Sequence, residues 1–272
     1  MKRVIVFRFH KLPDICIERV SLLKRVNPSI DIFGLYGGER DELSTMQRAL
    51  RPLLEDIFSL AEYAPAWKWR FSDLALREWF ISVGVHVPFD VAHVVEWDLL
   101  LCRPLERMYS HIAGDSIGLT AIRPVKDVAS TYSFTAEEPF SLEWKKLLAW
   151  AKSTHSYAAE PLVCLGPGWC VPRLFLEAYS KFVVPEISID ELRLPLSAQL
   201  LGMRLSDTRL CRSWYLEDEL KVFNTYKKEV LVSTVAQELA QPRGRRAFHP
   251  FRAHLAQAVS FPSQELVEKL VA

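Results

Sequence analysis

The sequence lacks the patterns that mark several classes of protein. Its five cysteines are scattered and show no CxxC spacing, which is typical of reduced thiols in a cytoplasmic protein. Cys164 and Cys170 are candidate zinc ligands, but no second pair completes a site. The apolar run at residues 4–7 is too short for a signal peptide, and no stretch approaches the roughly 20 apolar residues of a membrane span. We therefore expect a soluble, cytoplasmic protein without a membrane span, which could still reach a membrane surface through partners.

The chain also lacks a strong net charge and a glycine-rich phosphate loop. Lysine and arginine number 34 against 33 acidic residues, so nothing general points to nucleic acid or an anionic membrane. Walker A and GxGxxG loops are both absent, so a bound nucleotide would have to be held in another way. No repeat or composition shift marks a linker in the 272 residues, which predicts a single domain over 1–272. Residues 206–272 are predicted to be its C-terminal helical extension, with a basic loop.

The first 55 residues alternate between strand and helix patterns. Strands are predicted at 4–9 and 30–36, helices at 14–26 and 42–55, and Gly37-Gly38 makes a turn. Further strands are predicted at 89–95 and 116–122, and further helices at 142–152, 172–182, 191–202, 216–239 and 263–271. This order predicts the α/β class, with a Rossmann-like, mainly parallel mixed sheet flanked by helices.

The most informative segment is Glu96-Trp97-Asp98, which ends the apolar strand at 89–95. In open α/β sheets, ligands bind outside the carboxyl ends of the strands, and paired carboxylates there suit a divalent cation and a phosphate. A strand that simply ends in solvated acids is the alternative.

Other segments with functional potential are distributed along the chain, and each has a structural alternative. They are Ser72-Asp73 with Arg77, Gly166-Pro167-Gly168-Trp169, Asp190-Glu191, and the basic loop with Arg243, Arg245, Arg246 and His249. The alternatives are a surface salt bridge, a buried tryptophan, acids that favour a helix N-terminus, and a nucleic-acid patch respectively. We favour a phosphate clamp over a nucleic-acid patch because the rest of the chain is neutral.

The order and spacing of these segments, from residue 3 to about 252, resemble a GT-A nucleotide-sugar glycosyltransferase, without a close match to one family. In that fold a metal-binding Asp-x-Asp precedes a Pro-Leu, as Glu96-Trp97-Asp98 precedes Pro104-Leu105. The resemblance implies a Mn²⁺ or Mg²⁺ ion held by Asp98, Glu96 and His249, although a glutamate at position 96 departs from the motif.

The same resemblance implies where the substrates bind. The nucleoside-diphosphate sugar is expected to contact the residues Phe9, Tyr36, Asp73, Arg77, Glu96, Arg245 and Arg246. The carbohydrate or other hydroxyl acceptor is expected at Gly168 and Trp169. Glu191 is the expected catalytic base of an inverting transfer, with Asp190 beside it. The sequence therefore predicts a metal-dependent glycosyltransferase that binds no nucleic acid. A nucleotidyltransferase-like or non-catalytic nucleotide-binding protein on a related fold is the alternative, and the sequence does not indicate the oligomeric state.

Overall fold

The computed structural model describes residues 1–225 and 228–258. Within these ranges the strands are β1 (Arg3–Phe9), β2 (Asp31–Tyr36), β3 (Ile57–Ser59), β4 (Val91–Glu96), β5 (Leu100–Leu101), β6 (Ser116–Pro124), β7 (Leu162–Pro172), β8 (Arg204–Asp207) and β9 (Ala247–Phe248). The helices there are α1 (Pro13–Val26), α2 (Leu43–Leu50), α3 (Pro65–Arg70), α4 (Ser72–Ser82), α5 (Leu105–Met108), α6 (Ser133–Ala136), α7 (Phe140–His155), α8 (Arg173–Lys181), α9 (Asp190–Leu200), α10 (Glu217–Leu220) and α11 (Val232–Ala240).

Seven of the described strands form one mixed sheet in the order β3-β2-β1-β4-β7-β6-β8. The neighbours β3, β2, β1 and β4 run parallel, β7 is antiparallel to β4 and β6, and β6 is parallel to β8. The central strands β1 and β4 are almost entirely buried, as expected for parallel strands covered by helices on both faces. The predicted α/β class with a mainly parallel mixed sheet is confirmed.

The region after β8 packs into the same core as the sheet. Leu210, Trp214 and Phe223 belong to one buried cluster with Phe7 of β1 and Val95 of β4. Only part of the predicted extension is helical among its described residues, 206–225 and 228–258, where β9 pairs antiparallel with β5 in a separate two-stranded sheet. This pairing brings the C-terminal segment to the end of β4.

Several predicted elements differ from the structure. The described residues of the helix predicted at 216–239 form instead the two short helices α10 and α11. The predicted turn at Gly166–Trp169 lies within β7, where the positive φ of Gly168 (82°) and register shifts opposite it keep an irregular strand paired with β6. The helix predicted at 263–271 lies outside the described residues. Across the described parts of the chain, no helix has the length and apolar character needed to cross a membrane.

Candidate active site

A cavity of about 990 Å³ opens at the carboxyl ends of β1, β2 and β4. Its walls come from the residues that follow these strands, from the first turn of α9, from residues 131–137 and from the C-terminal segment 249–252. In open α/β sheets this edge is the usual position of a ligand site, because loops and helix N-termini converge there.

The two central parallel strands place a charge pair on the cavity surface. In the register of β1 and β4, Arg8 lies opposite Glu96, and the Arg8 guanidinium is 3.2 Å from Glu96 Oε1. The other oxygen, Oε2, accepts a hydrogen bond from the Gly168 main-chain N–H at 3.1 Å. Burial raises the pKa of Glu96 to about 6, although Arg8 and His249 oppose the shift. Both oxygens of Glu96 are therefore already engaged by protein groups.

Pairing between β5 and β9 brings His249 beside Asp98. Leu100 is paired with Phe248, and the Phe251 N–H donates to the Asp98 carbonyl at 2.8 Å. As a result His249 Nε2 lies 3.5 Å from Asp98 Oδ1, although the two residues are far apart in sequence.

Asp98 is surrounded by positive charge. Arg252 Nε lies 3.2 Å from Asp98 Oδ2. Burial alone would raise the pKa of Asp98, but the interactions with His249 and Arg252 lower it to about 2. Burial alone would likewise lower the pKa of His249, yet the Asp98 carboxylate and the contact with the Asn224 carbonyl raise it overall. Asp98 is thus an anion at all ordinary pH values.

The orientation of His249 leaves its Nε2 atom facing Asp98. The other ring nitrogen, Nδ1, lies 2.6 Å from the Asn224 carbonyl oxygen and donates to it in the neutral ring. Such a hydrogen bond to the backbone is how metal-binding histidines are oriented in proteins.

The Asp98 and His249 pair fits a metal ion shared with a substrate. The described residues include no group of three or more His, Cys, Asp or Glu side chains placed to hold a metal. Mg²⁺ is often bound by only one or two carboxylates plus substrate phosphates, and imidazole suits Mn²⁺. A carboxylate and an imidazole nitrogen 3.5 Å apart, both facing the cavity, could meet that smaller requirement.

Asp190 and Glu191 begin α9 and face the same cavity. Glu191 accepts hydrogen bonds from the Tyr132 hydroxyl and from the Gly166 N–H, the latter at 2.7 Å. Burial and the neighbouring Asp190 raise the pKa of Glu191 to about 7, and burial raises the pKa of Asp190 to about 6. These carboxyl groups change protonation near neutral pH, which is the range useful to a general acid or base.

The structure therefore brings together five of the predicted site residues, namely Glu96, Asp98, Asp190, Glu191 and His249. Phe9 also lines the cavity, at the end of β1. Their roles stay predictions, but their positions converge at one end of the sheet.

Two residues predicted to bind the nucleotide lie elsewhere. Asp73 is fully buried, where it pairs with Arg193 through both oxygens and accepts a hydrogen bond from the Tyr179 hydroxyl. Arg77 pairs with Glu78 at 3.4 Å and does not line the cavity. The structure places neither residue in the cavity, because the first turn of α4 points Asp73 into the protein, and Ser72 is the residue of that helix that lines the cavity.

Tyr36 is likewise removed from the predicted nucleotide contacts. Its side chain is completely buried, and its hydroxyl donates to the Glu39 carbonyl at 2.7 Å. The cavity is lined instead by the glycines that follow it, Gly37 and Gly38.

The basic loop does not supply the predicted phosphate clamp. Arg245 forms a bidentate pair with Glu219, with both N–O distances at 2.8 Å. Arg246 donates to main-chain carbonyls, including that of Glu238 at 3.0 Å. Neither arginine lines the cavity, because both hold the loop to α10 and α11.

The predicted acceptor residues Gly168 and Trp169 are also outside the cavity. Trp169 is fully buried, and its indole N–H donates to the Leu165 carbonyl at 3.1 Å. Gly168 donates to Glu96 and accepts from the Tyr109 hydroxyl. Gly166 and Pro167 of β7 line the cavity in their place.

The side chains that line the cavity and that sequence reasoning missed include Arg8, Tyr132 and Arg252. A signal existed for Arg8, because a basic residue near the end of one central strand and an acid at the end of another are placed side by side by parallel pairing. No comparable signal marked Tyr132, which lies between two elements that carry no functional motif.

Comparisons with known proteins give fold similarity only. No family model matches the sequence, and no curated protein is significantly similar to it. Among solved structures, the chain is similar to the galactosyltransferase LgtC in complex with donor and acceptor sugar analogues, with a TM-score of 0.42 and 12% identity over 75% of this chain and 72% of that one. It is similar to mouse xyloside xylosyltransferase 1, with a TM-score of 0.39 and 10% identity over 76% and 85% of the two chains.

A third similar structure is the mannosyltransferase PcManGT from Pyrobaculum calidifontis, solved with GDP-Man and Mn²⁺, with a TM-score of 0.41 and 13% identity over 76% and 54% of the two chains. Identities this low transfer no substrate to this chain. Any function for this chain therefore has to be argued from the residues of its own cavity.

Proposed function

We propose that this protein is a metal-dependent glycosyltransferase that moves a sugar from a nucleoside-diphosphate sugar to an acceptor hydroxyl with inversion. The observation that carries the proposal is the approach of His249 to Asp98, 3.5 Å apart, in the cavity that also holds the buried Asp190-Glu191 pair. The first pair suits a diphosphate with its cation, and the second suits removal of a proton.

The donor would lie across the ends of β1, β2 and β4. Gly37 leaves room for a base and ribose, because a Cβ at this position would meet only the Lys68 side chain, at 4.0 Å. The Lys68 ammonium group donates to the Gly38 carbonyl at 2.7 Å. Arg8 and Arg252 present guanidinium groups to the same cavity, and guanidinium is well matched to phosphate oxygens. These two arginines take the role that the sequence assigned to Arg245 and Arg246.

Asp98 and His249 would hold a Mn²⁺ or Mg²⁺ ion together with the diphosphate. The ion would neutralise negative charge on the leaving nucleoside diphosphate, where that charge grows as the sugar–phosphate bond breaks. Asn224 would keep His249 in the required tautomer through its carbonyl group.

Glu191 would act as the base for the acceptor hydroxyl. Its pKa of about 7, raised by burial and by Asp190, makes it a suitable proton acceptor near neutral pH. The hydrogen bonds from Tyr132 and Gly166 fix the carboxylate in one orientation. Pre-set orientation of this kind lowers the cost of reaching the reactive geometry.

The test is a thermal-shift and calorimetry screen of nucleoside diphosphates with and without Mn²⁺. A ligand present at 100 times its Kd stabilises a protein by about 2.7 kcal/mol, which such a screen detects. We expect stabilisation by one diphosphate that depends on Mn²⁺ and is lost in His249→Ala. The control is His254→Ala, an exposed histidine nearby that pairs with Glu18. Metal-independent binding, or equal loss in both variants, would contradict the metal assignment. Slow hydrolysis of the matching nucleotide sugar would then identify the enzyme activity.

A further inference from the structure

The cavity has two halves that differ in the charges that line them. The lysine and arginine side chains of the lining are Arg8, Lys11, Lys68 and Arg252, and they share one half with the carboxylates of Glu39, Glu42, Glu96 and Asp98. The described residues that line the half around Glu191, which are 131–137, 165–167, 189–191 and Trp214, include no lysine or arginine. That half carries instead the carboxylates of Glu137, Asp190 and Glu191.

A continuous row of aromatic side chains runs along the cavity into the half around Glu191. The ring centres of Trp69 and Phe134 are 5.9 Å apart, those of Phe134 and Tyr132 are 5.5 Å apart, and those of Tyr132 and Trp214 are 5.3 Å apart. All four side chains line the cavity, and we refer to them as the aromatic wall. The row contacts the proposed base at Tyr132, whose hydroxyl donates a hydrogen bond to Glu191.

One member of the aromatic wall is left in solvent. Trp69 is 59% exposed, whereas Tyr132 and Trp214 are buried. A large indole face at the rim of a cavity is costly to leave in water and is well suited to cover the apolar C–H face of a sugar ring. The inner rings of the wall then continue the same surface toward Glu191.

The carboxylates in the half of the cavity around Glu191 favour an uncharged acceptor over an anionic one. A phosphate or carboxylate on the acceptor would face Glu137, Asp190 and Glu191 without a cation among the described lining residues. Arg123 lies 5.5 Å from the centre of the Trp214 ring, but it does not line the cavity. An uncharged sugar can instead donate its hydroxyl groups to these carboxylates while its ring stacks on the wall.

We propose that the aromatic wall of Trp69, Tyr132, Phe134 and Trp214 is the acceptor subsite, and that it takes an uncharged pyranoside. This rests on the proposed function for the role of acceptor, but the binding of a pyranoside to the wall is a separate property. The aromatic wall takes the place of Trp169 as the proposed acceptor contact. The sequence indicated Trp169, but the structure buries this side chain.

Two measurements test the subsite independently of one another. The first is saturation-transfer NMR with methyl pyranosides of glucose, galactose and N-acetylglucosamine, with glucose 6-phosphate as the anionic probe. The second is transfer from the nucleotide sugar identified by the screen, together with hydrolysis of that donor without acceptor.

We expect at least one neutral pyranoside to bind wild type and glucose 6-phosphate to bind less well. Trp69→Ala should weaken that binding, and raise the acceptor KM, by roughly tenfold, with donor affinity and donor hydrolysis unchanged. Trp69→Phe should restore most of the loss. Leu174→Ala, at a residue of α8 that is 60% exposed and outside the cavity, is the matched surface control.

Each outcome supports or overturns the proposed subsite. Binding that is equal in wild type and Trp69→Ala, absence of pyranoside binding, or preference for the anionic probe would overturn the subsite. Pyranoside binding that depends on Trp69 in a protein that neither hydrolyses nor transfers any donor would support the subsite and overturn the proposed enzyme function.

Discussion

Replacing Asp73 by alanine tests whether this carboxylate stabilises the fold or binds a nucleotide. The side chains of Asp73 and Arg193 are both completely buried, with Arg193 Nε 2.9 Å from Asp73 Oδ2 and a further contact to Oδ1. In the variant, the guanidinium would keep only hydrogen bonds to main-chain carbonyls, at 3.1–3.3 Å. Breaking a buried ion pair by removing one partner costs about 3–5 kcal/mol, because the other charge is left uncompensated.

A loss of that size is a large part of the total stability of a typical protein, about 5–15 kcal/mol. The assay is urea unfolding followed by circular dichroism, and we expect the free energy of unfolding of Asp73→Ala to fall by about 3–5 kcal/mol. The double variant Asp73→Leu with Arg193→Met should recover much of the loss, since apolar replacement of both partners is often neutral. Asp115→Ala, which removes an exposed ion pair with Arg204, is the control and should change little.

Calorimetric measurement of nucleoside diphosphate binding completes the test, under conditions in which Asp73→Ala is still folded. We expect an unchanged Kd, since neither Asp73 nor Arg193 lines the cavity. A variant that unfolds like wild type but binds nucleotide at least tenfold more weakly would refute the structural role and restore the role that the sequence indicated.

Three further variants test the cavity. Glu191→Gln should lower transfer by roughly 10²–10⁴-fold with donor affinity intact, and a two- or threefold loss or a retained anomeric configuration would exclude Glu191 as the base. Because burial raises the pKa of Glu191 from 4.5 to about 7, wild type loses stability as pH rises from about 4.5 to 7, so Glu191→Gln should gain stability relative to wild type between pH 5 and 8 in thermal unfolding. A variant that shows no such pH dependence would contradict the burial argument. Tyr132→Phe removes a hydrogen bond that lowers the pKa of Glu191, so the transfer rate of this variant should rise with pH over a higher pH range than in wild type. An unchanged pH–rate profile would contradict the hydrogen bond between Tyr132 and Glu191. Arg252→Ala should weaken diphosphate binding and reduce its salt dependence in calorimetry, whereas Arg245→Ala, outside the cavity, should leave that salt dependence unchanged.

The fold could be predicted from the sequence because its signals are local. Alternation of apolar strands with helices over residues 3–55 predicts a parallel sheet, and the buried run at 91–95 predicts a central strand. The position of Glu96 and Asp98 follows from that strand alone. Asp190 and Glu191 could be placed because acids at the start of a helix stand at a predictable end of it.

What could not be predicted depends on long-range packing. An exposed and a buried tryptophan have the same local sequence signature, so the buried Trp169 was predicted to lie in the site while the exposed Trp69 was not. Arginines in the run 243–246 looked available, yet Glu219 engages Arg245 from another element. Asp73 is neutralised by Arg193, a partner 120 residues later in the chain, which no local pattern reveals.

The pairing of β5 with β9 has a consequence for the order in which the protein matures. Arg252 and Asp98 are separated by 154 positions, so a ribosome finishes the seven-stranded sheet, whose last strand ends at residue 207, before it makes the residues that approach Asp98. In the proposed function, the nucleotide site of a nascent chain would therefore be completed late, after the strands of the sheet have been made. A nucleotide would stabilise finished molecules and leave truncated ones unprotected. Proteolysis of full-length and 1–240 chains with and without Mn²⁺ and nucleoside diphosphate should show protection of the full-length chain alone.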